Sequence, residues 1–549
     1  MNLIGNINAI PFRRFRGGGG VAPFPSIPGM IARYSALGLT NEQMAANPVW
    51  VDKTGNGHDL QMKNFAWKEG SGISDVYLGA LVFDGVDDYG TCDNFPILTK
   101  EKGYTVVALR KWLTPENKTD NEVLVANLKK PRLETKAWGA WGAFGCEIKY
   151  NNTNPKKTRT LSFGNMPVIN VNENNVLLCQ TSNNYNGVDI ASGNDTGGPY
   201  LLICSRGGSL FANVAIWELV FLDHDATEEE LTKIKDYFVK TYPWLFPDQA
   251  WTVVGKTNED EDRATIANIT GNGNDLVLSN FGFAEGSGYG LYKTPFELYP
   301  SVQHSSKYSL SFSKFALGDH NLIIAPKQND LSYDIKVKVT GLKDGVKFKW
   351  GWIGTTGYID ITTDGIHMLN KPASQIRQLL VEFAEDFDPD HVVTIEQIPE
   401  YEGYLVTDGV DDKAVSKQFK FGENFTVILD FKFPVKKISY CGFDLSSKVR
   451  IRNLQGSGVH VVLKGNKTLI PSNVVRAVTS EGKVYDENWN EYNIVPGNIS
   501  SNYAMVNLGF DGSTQFAESA TKLAGIYSST LSKDECIKAY NYLQTLKAK

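Results

Sequence analysis

The sequence predicts an all-β protein that contains the same sandwich-like module twice. Three observations support this fold class. A segment of 19 residues recurs without a gap, short apolar runs alternate with turn residues over most of the chain, and helical periodicity is confined mainly to the end of each repeat. Short strands rich in Val, Ile, Phe and Tyr between Gly, Asn and Asp turns are typical of antiparallel sandwiches and barrels.

The repeat is clearest in residues 54–72, TGNGHDLQMKNFAWKEGSG, which return as residues 270–288, TGNGNDLVLSNFGFAEGSG, with 12 of 19 positions identical. A second motif, DGVDD at 84–88, returns at 408–412. The order of the motifs is the same in both copies. A repeat this long indicates tandem domains and excludes a solenoid, whose units are a few tens of residues long.

The spacing of the two motifs locates an extra segment. EGSG and DGVDD are 12 residues apart in the first copy and 120 apart in the second. The second copy therefore carries an insertion of about 100 residues, which is the size of one more domain. We predict an extended N-terminal arm at residues 1–30 and a first jelly roll at 31–247. The second jelly roll is predicted in two parts, at 248–300 and 401–549, with an inserted immunoglobulin-like sandwich at 301–400 between them.

The ends of both modules predict a helix. Thr227 and Glu230 have the spacing of a capping box, and the apolar residues that follow recur at helical spacing along one face. Ser532 and Glu535 repeat that box at the end of the second module. The insertion has a different pattern, with about seven short strands, which favours an immunoglobulin-like architecture without the Cys, Trp and Cys spacing of true immunoglobulin domains.

The N-terminal segment differs in composition from the rest. Residues 1–41 hold four arginines and no acidic residue, with a run of four glycines at 17–20. Such a segment cannot bury enough apolar surface to order itself alone. It is either a disordered leader or an arm that anchors the chain to an assembly through apolar and charged contacts. The candidate anchoring residues are Ile10, Phe12, Arg13, Arg14, Phe15 and Arg16.

Composition excludes several function classes. The formal net charge of −6 argues against general nucleic-acid affinity. No apolar run approaches the roughly 20 residues of a membrane-spanning helix, and the N-terminus does not resemble a signal peptide, so we expect no membrane insertion. The six cysteines have no zinc or redox spacing and are expected to be buried thiols in a protein folded in a reducing cytoplasm.

A family resemblance comes from three segments. LVFDGVDDY at 81–89, AIWELVFLDHDATEEEL at 215–231 and the pattern WxDxTGNGxDL that begins at Trp50 resemble LamG-like, concanavalin A-like jelly rolls. Modules of this kind are similar to those in structural proteins of phages infecting gut Bacteroidetes, including crAss-like phages. The second copy keeps TGNGxDL but reads IAN at 266–268, where Trp and Asp are expected.

Catalytic patterns are absent from the sequence. Glycoside hydrolysis needs two carboxylates on either side of the bond, and no strand carries the alternating acids of jelly-roll glucanases. We therefore predict no enzyme, no catalytic residue and no metal or other cofactor. The aspartates of the two DGVDD motifs are interpreted as turn formers, with calcium ligation as the alternative.

Sugar binding remains compatible with the composition, because aromatic rings stack on sugars while amides bond their hydroxyls. The candidate glycan-binding residues are Trp138, Trp141, Asn183, Asn184 and Tyr185.

The resemblance implies a non-enzymatic virion structural protein, a head fibre, decoration protein or tail appendage, assembled in the host cytoplasm and attached through its arm. Expected partners are other virion proteins, further copies of the chain and host-surface glycans. The alternatives are a bacterial carbohydrate-binding or glycan-degrading protein with LamG-like domains, and a capsid-cementing protein that binds no ligand.

Overall fold

The computed structural model of the chain describes residues 23–548 except 100, 115–121, 129–143, 152–159, 163–168, 171–175, 183, 186–187, 190–197, 207–208, 284–286, 291–303, 307–308, 313–334, 343–345, 353–358, 370–376, 384–387, 389, 399–400, 434–440, 447, 455–457, 473, 499–502 and 513–515. It confirms the predicted all-β class, because almost every element is a strand in an antiparallel sheet. No helix in these ranges is both long and apolar enough to cross a membrane.

The first module is a sandwich of two eight-stranded sheets. One sheet packs against the helix Glu228–Thr241, and we call it the helix-side sheet. It contains, in spatial order, Val188–Asp189, Asn184–Tyr185, Leu177–Thr181, Thr105–Trp112, Asn213–Leu222, Ala80–Asp84 and Gly72–Ser74, with Met30–Ser35 also paired to Asn213–Leu222. The facing sheet contains Ile169–Asn170, Thr160–Ser162, Phe144–Asn151, Glu122–Leu128, Tyr200–Ile203, Tyr89–Cys92, Leu60–Lys63 and Val49–Trp50.

The second module repeats this arrangement. Its helix-side sheet contains Gly288–Tyr289, Leu405–Asp408, Glu518–Tyr527, Thr426–Lys432, Val474–Thr479, Lys483–Tyr485 and Glu491–Asn493, with Gln249–Thr252 also paired to Glu518–Tyr527. The facing sheet contains Thr265–Ile266, Leu276–Ser279, Lys413–Ser416, Val506–Leu508, Cys441–Leu445, Val449–Leu454, Gly458–Leu463 and Asn466–Ile470. A small ribbon pairs Phe419–Lys420 with Tyr503–Ala504.

The strands between the two parts of the second module form sheets of their own. One has five strands, His304–Ser306, Ser309–Phe312, Val393–Gln397, Ile335–Thr340 and Gly365–Leu369, and the other has three, Ile359–Ile361, Val346–Trp352 and Arg377–Phe383. Gly288, before the insertion, pairs directly with Val406, after it. The two parts of the second module therefore lie side by side in one sheet.

Within the described residues three α-helices accompany the sheets, α1 at Asn41–Ala46, α2 at Glu228–Thr241 and α3 at Lys533–Gln544, and Pro243–Leu245 form a 3-10 turn. The predicted capping boxes begin α2 and α3. The Thr227 hydroxyl accepts from Glu230 N at 3.3 Å while the Glu230 carboxylate accepts from Thr227 N at 2.8 Å, and Ser532 and Glu535 repeat both contacts.

The central strands of each helix-side sheet are buried on both faces, which explains their nearly continuous apolar sequence. In Thr105–Trp112, Val106 and Ala108 face the core between the two sheets, whereas Val107 and Leu109 face the helices. All eight residues of this strand are buried. Strands covered on both sides lose the polar alternation of a half-exposed sheet.

One apolar core joins the two modules, and we call it the shared core. It combines residues of the first helix-side sheet and α2, the linker, the second helix-side sheet and α3, including Leu109, Val220, Ile234, Phe238, Trp244, Leu245, Ile428, Leu523, Tyr527, Cys536 and Leu543. Tyr527 Oη donates to the Trp244 carbonyl at 3.1 Å, and the Lys538 ammonium lies 4.3 Å from the Trp244 ring centre. The linker is thus buried between the modules.

The TGNG motif is a loop clamp in both modules. Asp52 Oδ1 accepts from Arg33 N at 3.1 Å and from Thr54 N at 2.9 Å, which ties the loop to the first strand. In the second module Asn268 Oδ1 accepts from Ala250 N at 3.4 Å and from Thr270 N at 3.0 Å. The amide oxygen of asparagine replaces the carboxylate, so the change from Asp to Asn keeps the clamp.

The tryptophan missing from the second motif is replaced from the neighbouring strand. Tyr34 and Trp50 pack together in the first module, with ring centres 5.6 Å apart, and both are buried. In the second module the corresponding positions are Trp251 and Ile266, also both buried. Tyr34 Oη and Trp251 Nε1 each donate to the carbonyl of the residue that follows TGNG in their own module. The tryptophan of this core therefore comes from Val49–Trp50 in the first module and from Gln249–Thr252 in the second.

Candidate functional site

Most of the sequence-predicted binding residues lie outside the described residues. This holds for the arm residues Ile10, Phe12, Arg13, Arg14, Phe15 and Arg16, and for Trp138, Trp141 and Asn183. Asn184 and Tyr185 form a two-residue strand that pairs with Val188 and Asp189 at the edge of the first helix-side sheet. Their role in glycan binding stays a prediction.

The DGVDD motif forms a tight turn whose first aspartate accepts hydrogen bonds from the turn itself. Asp84 Oδ1 accepts from Val86 N at 2.8 Å and from Asp87 N at 3.3 Å. Gly85 adopts φ +74°, the left-handed region that glycine enters without strain. This is the turn-forming role that the sequence predicts. The second module repeats it, with Asp408 Oδ1 accepting from Val410 N at 2.8 Å.

The last aspartate of each motif is buried beneath the turn. Asp88 Oδ2 accepts from Asp84 N at 3.1 Å, and Asp412 Oδ2 accepts from Asp408 N at 2.9 Å. Neither Asp88 nor Asp412 has any exposed surface. Burial raises the pKa of each carboxyl to about 6, although the hydrogen bonds favour the charged form and lower the pKa.

Three carboxylates converge at each turn. One oxygen from each of Asp84, Asp87 and Asp88 lies within 4.8 Å of the other two, and the same holds for the corresponding aspartates of the second module. Asp87 is exposed, Asp84 is half-buried and Asp88 is buried. Oxygen ligands at this separation are the donor type that hard divalent cations prefer.

The two repeated motifs meet in space. Asn64, which follows the TGNG strand, donates from Nδ2 to the Asp87 carbonyl at 2.9 Å. Asn280 makes the same contact with the Asp411 carbonyl at 3.1 Å. Each asparagine thereby fixes the segment NFxΦxEGSG, where Φ is aromatic, against the DGVDD turn of its own module.

An aromatic pair lies on this segment in both modules. Phe65 and Trp67 stack with ring centres 4.7 Å apart and an interplanar angle of 16°. Phe281 and Phe283 occupy the same positions in the second module, 5.9 Å apart and tilted by 31°. All four rings are half-buried. Each module therefore presents a partly exposed aromatic surface beside its carboxylate turn, which we call the aromatic platform.

The platform is held in a strained backbone conformation. Trp67 has φ +50° and Phe283 has φ +47°, in the left-handed region that bulky residues rarely adopt. Such a conformation costs on the order of 1–3 kcal/mol per residue and is concentrated at functional sites. Its presence at the same position of both modules makes these two residues the strongest functional candidates in the described part of the chain.

Sequence reasoning used this segment as evidence for duplication but did not select it as a site. A usable signal was present, because both copies keep an aromatic residue at 65 and 67 and at 281 and 283, although the residues at 66 and 68 differ from those at 282 and 284. The left-handed conformation is not visible in the sequence, since Trp and Phe carry no preference for it.

Comparisons with known proteins give limited information. No family model matches the chain, and no curated protein matches it. Among solved structures, Trypanosoma rangeli sialidase matches at 15% identity and a TM-score of 0.27, covering 43% of this chain and 36% of the sialidase. The receptor binding domain of botulinum neurotoxin C/D mosaic serotype matches at 8% identity and a TM-score of 0.26, covering 76% of this chain and 88% of that domain.

The match thus spans about a third of the length of the sialidase. At these TM-scores neither likeness carries an argument about activity, substrate or partner. Function is therefore inferred from the geometry of the two turns and platforms.

Proposed function

We propose that this protein is a non-enzymatic structural component of a phage particle, as a head fibre, decoration protein or tail appendage, and that its jelly rolls bind glycans at the host surface. The observation that carries the glycan-binding part is the strained aromatic platform beside a turn with three carboxylates, present in both modules. The phage setting rests on the sequence resemblance.

The chemistry of the platform suits a sugar. A pyranose ring offers an apolar face of C–H groups to an aromatic ring, while its hydroxyls need polar partners at the edge. Trp67 provides the ring, and the exposed Asp87 carboxylate lies on the turn to which the platform segment is bonded. Two such surfaces on one chain increase avidity if both engage one glycan-coated surface.

The carboxylates of the turns support binding over hydrolysis. A glycosidase needs two carboxyl groups about 5–9 Å apart with a free path to the bond between them. Here the three ligand oxygens of a turn lie within 4.8 Å of one another, and the carboxylates of Asp84 and Asp88 already accept hydrogen bonds from backbone N–H groups of the turn. We accordingly propose that no bond is cleaved at this site.

Attachment to the particle is assigned to the N-terminal arm. The arm is basic and free of acidic residues, so its arginines can pair with carboxylates of another virion protein. From residue 23 onward the chain packs on the first module, where Phe24 meets Tyr237 with ring centres 4.7 Å apart and Ile27 is buried. The anchoring role is proposed for Ile10, Phe12, Arg13, Arg14, Phe15 and Arg16, which precede this segment in the sequence.

A glycan array probed with the full-length protein tests the proposal. The test variant combines Trp67→Gly and Phe283→Gly, because glycine adopts a positive φ without strain and preserves the backbone. The matched control is Tyr503→Ala, which removes a 53% exposed aromatic ring far from both motifs in the sequence. We expect the wild type and the control to bind the same glycans and the double variant to lose them.

Two outcomes would contradict the proposal. Wild-type protein that binds no glycan would remove the adhesive role, and unchanged binding by the double variant would move the site elsewhere. A reducing-sugar assay on bound polysaccharides checks the absence of turnover. Cryo-electron microscopy of the phage particle would establish or refute its place there.

A further inference from the structure

One edge of the facing sheet of the second module carries basic side chains on its outer face. Arg452, His460 and Lys467 lie on its last three strands. Arg452 lies opposite His460, and Lys467 is two residues from Leu469, which lies opposite His460 on the other side. The neighbouring Val461 faces the core, so these side chains point away from it. We call Arg452, His460 and Lys467 the basic edge.

The Arg452 guanidinium has no partner in the described part of the chain. Its Nε is buried and forms no hydrogen bond, whereas Arg450 Nε, two residues earlier on the same face, donates to Asp444 Oδ1 at 2.6 Å. Lys467 is exposed and likewise forms no ion pair with a described residue. Burial and the nearby cations Lys467 and Arg452 lower the pKa of His460. A carboxylate here would supply the missing acceptor and offset the positive charge.

The opposite edge of the same sheet carries the complementary charge. Its outermost strand, Thr265–Ile266, directly follows a loop in which Glu259 and Glu261 are exposed. The aspartates of this loop are engaged within it, Asp260 with Thr257 and Asp262 with Lys256. Glu259 and Glu261 form no hydrogen bond or ion pair with the residues that the structure describes. We call residues 259–262 the acidic loop.

Within one chain the acidic loop cannot reach the basic edge. The sheet has eight strands, with Thr265–Ile266 first and the strands of the basic edge sixth to eighth. Neighbouring strands are about 4.8 Å apart, so the two surfaces are separated by on the order of 20–30 Å. Charged groups pair only within about 4 Å. The two surfaces can therefore meet only between copies of the chain.

We propose that copies of this chain associate head to tail, with the acidic loop of one copy on the basic edge of the next. Glu259 and Glu261 supply carboxylates to the Arg452 guanidinium and the Lys467 ammonium. Because the two surfaces differ, the contact is heterologous and builds a ring or a filament. This association depends on neither the glycan-binding nor the phage proposal.

The first module offers no equivalent of the acidic loop. Asn41 Oδ1 accepts from Ile73 N as Asn258 Oδ1 accepts from Tyr289 N, so the two asparagines occupy the same place in their modules. Asn41 is followed by a segment in which Glu42 is the single acidic residue before Trp50. Glu42 is exposed and provides a matched control.

Sedimentation velocity of the full-length protein over a concentration series tests the contact. At about 20 mM salt we expect the sedimentation coefficient to rise with protein concentration, and at about 500 mM salt we expect no rise, because salt screens exposed charges. Arg452→Glu with Lys467→Glu, and separately Glu259→Lys with Glu261→Lys, should each weaken association at least about tenfold, since like charges then face each other. Glu42→Lys should associate like the wild type.

A charge swap makes the test specific. Mixing the two reversed variants should restore association, because one keeps the acidic loop and the other keeps the basic edge. Lys467→Glu alone changes an exposed residue and serves in place of the double reversal if Arg452→Glu lowers the melting temperature. A wild type that stays monomeric, a reversed variant that associates normally or a mixture that does not recover would refute the contact. Association that persists at high salt would place the interface on another surface.

Discussion

The ion pair between Arg33 and Glu218 provides a quantitative test of how the first module is held together. Arg33 Nε and Nη2 donate to the two Glu218 oxygens, each at 3.0 Å, and Nη2 also donates to Tyr237 Oη at 2.8 Å. The Glu218 side chain has no exposed surface, and 15% of the Arg33 side chain is exposed. The pair links the first strand to the central strand beneath α2.

Arg33→Met should destabilise the protein strongly, because it leaves Glu218 as a buried charge without its partner. Removing one member of a buried pair costs about 3–5 kcal/mol. For a domain of about 200 residues each kcal/mol lowers the melting temperature by about 2–4 °C, so we expect a loss of about 6–20 °C in differential scanning calorimetry.

The loss should shrink in acid. Burial raises the pKa of Glu218, and the Arg33 charge is the first effect that opposes the rise. Without Arg33 the folded-state pKa rises further above the unfolded value, so the folded protein binds the proton more tightly. The destabilisation caused by Arg33→Met is then fully present above the folded-state pKa of Glu218 and is relieved as the pH falls through that pKa. The difference between wild type and Arg33→Met should be smaller at pH 5 than at pH 8.

Two controls make this reasoning refutable. Lys233→Met breaks the exposed pair between Lys233 and Glu229, 2.8 Å apart, and should lower the melting temperature far less than Arg33→Met, because solvent screens an exposed pair. The double variant Arg33→Met with Glu218→Met should recover most of the loss, since apolar replacement of a whole buried pair is often neutral. A double variant no more stable than Arg33→Met, or a loss from Arg33→Met no larger than from Lys233→Met, would show that the buried charge is not the cause.

Three further predictions follow from other parts of the molecule. Asn268→Ala should cost about 1–3 kcal/mol in urea unfolding, because it removes the loop clamp and leaves buried N–H groups without an acceptor. Cys179 and Cys441, whose pKa burial raises to about 12, should react with Ellman's reagent only after unfolding, and rapid native labelling would contradict the buried assignment. Deleting residues 1–22 should leave thermal unfolding unchanged but abolish incorporation into particles, and normal incorporation would refute the anchor.

The sequence was sufficient for the features that depend on local pattern. The repeat implied two modules, strand density implied antiparallel sheets, and the boxes at Thr227 and Ser532 marked the starts of α2 and α3. These signals are readable because capping and strand alternation involve residues a few positions apart.

Features that depend on distant pairing were beyond the sequence. Ile266 departs from the WxDxTGNGxDL pattern, and the sequence does not show that Trp251 fills that core from the neighbouring strand. Arg33 falls within the basic segment 1–41, but it belongs to the first strand and pairs with Glu218, 185 residues away. Likewise, the strained platform and the burial of Asp88 arise from register and side-chain position, which no local motif encodes.

The shared core has a mechanical consequence. Because Trp244 and Leu245 of the linker are buried among residues of both modules, pulling the modules apart requires apolar surface to be exposed before the linker can extend. A force applied at one module is therefore passed to the other through side-chain contacts as well as through the backbone. Two domains joined by an exposed tether would swivel under load, whereas this pair resists bending.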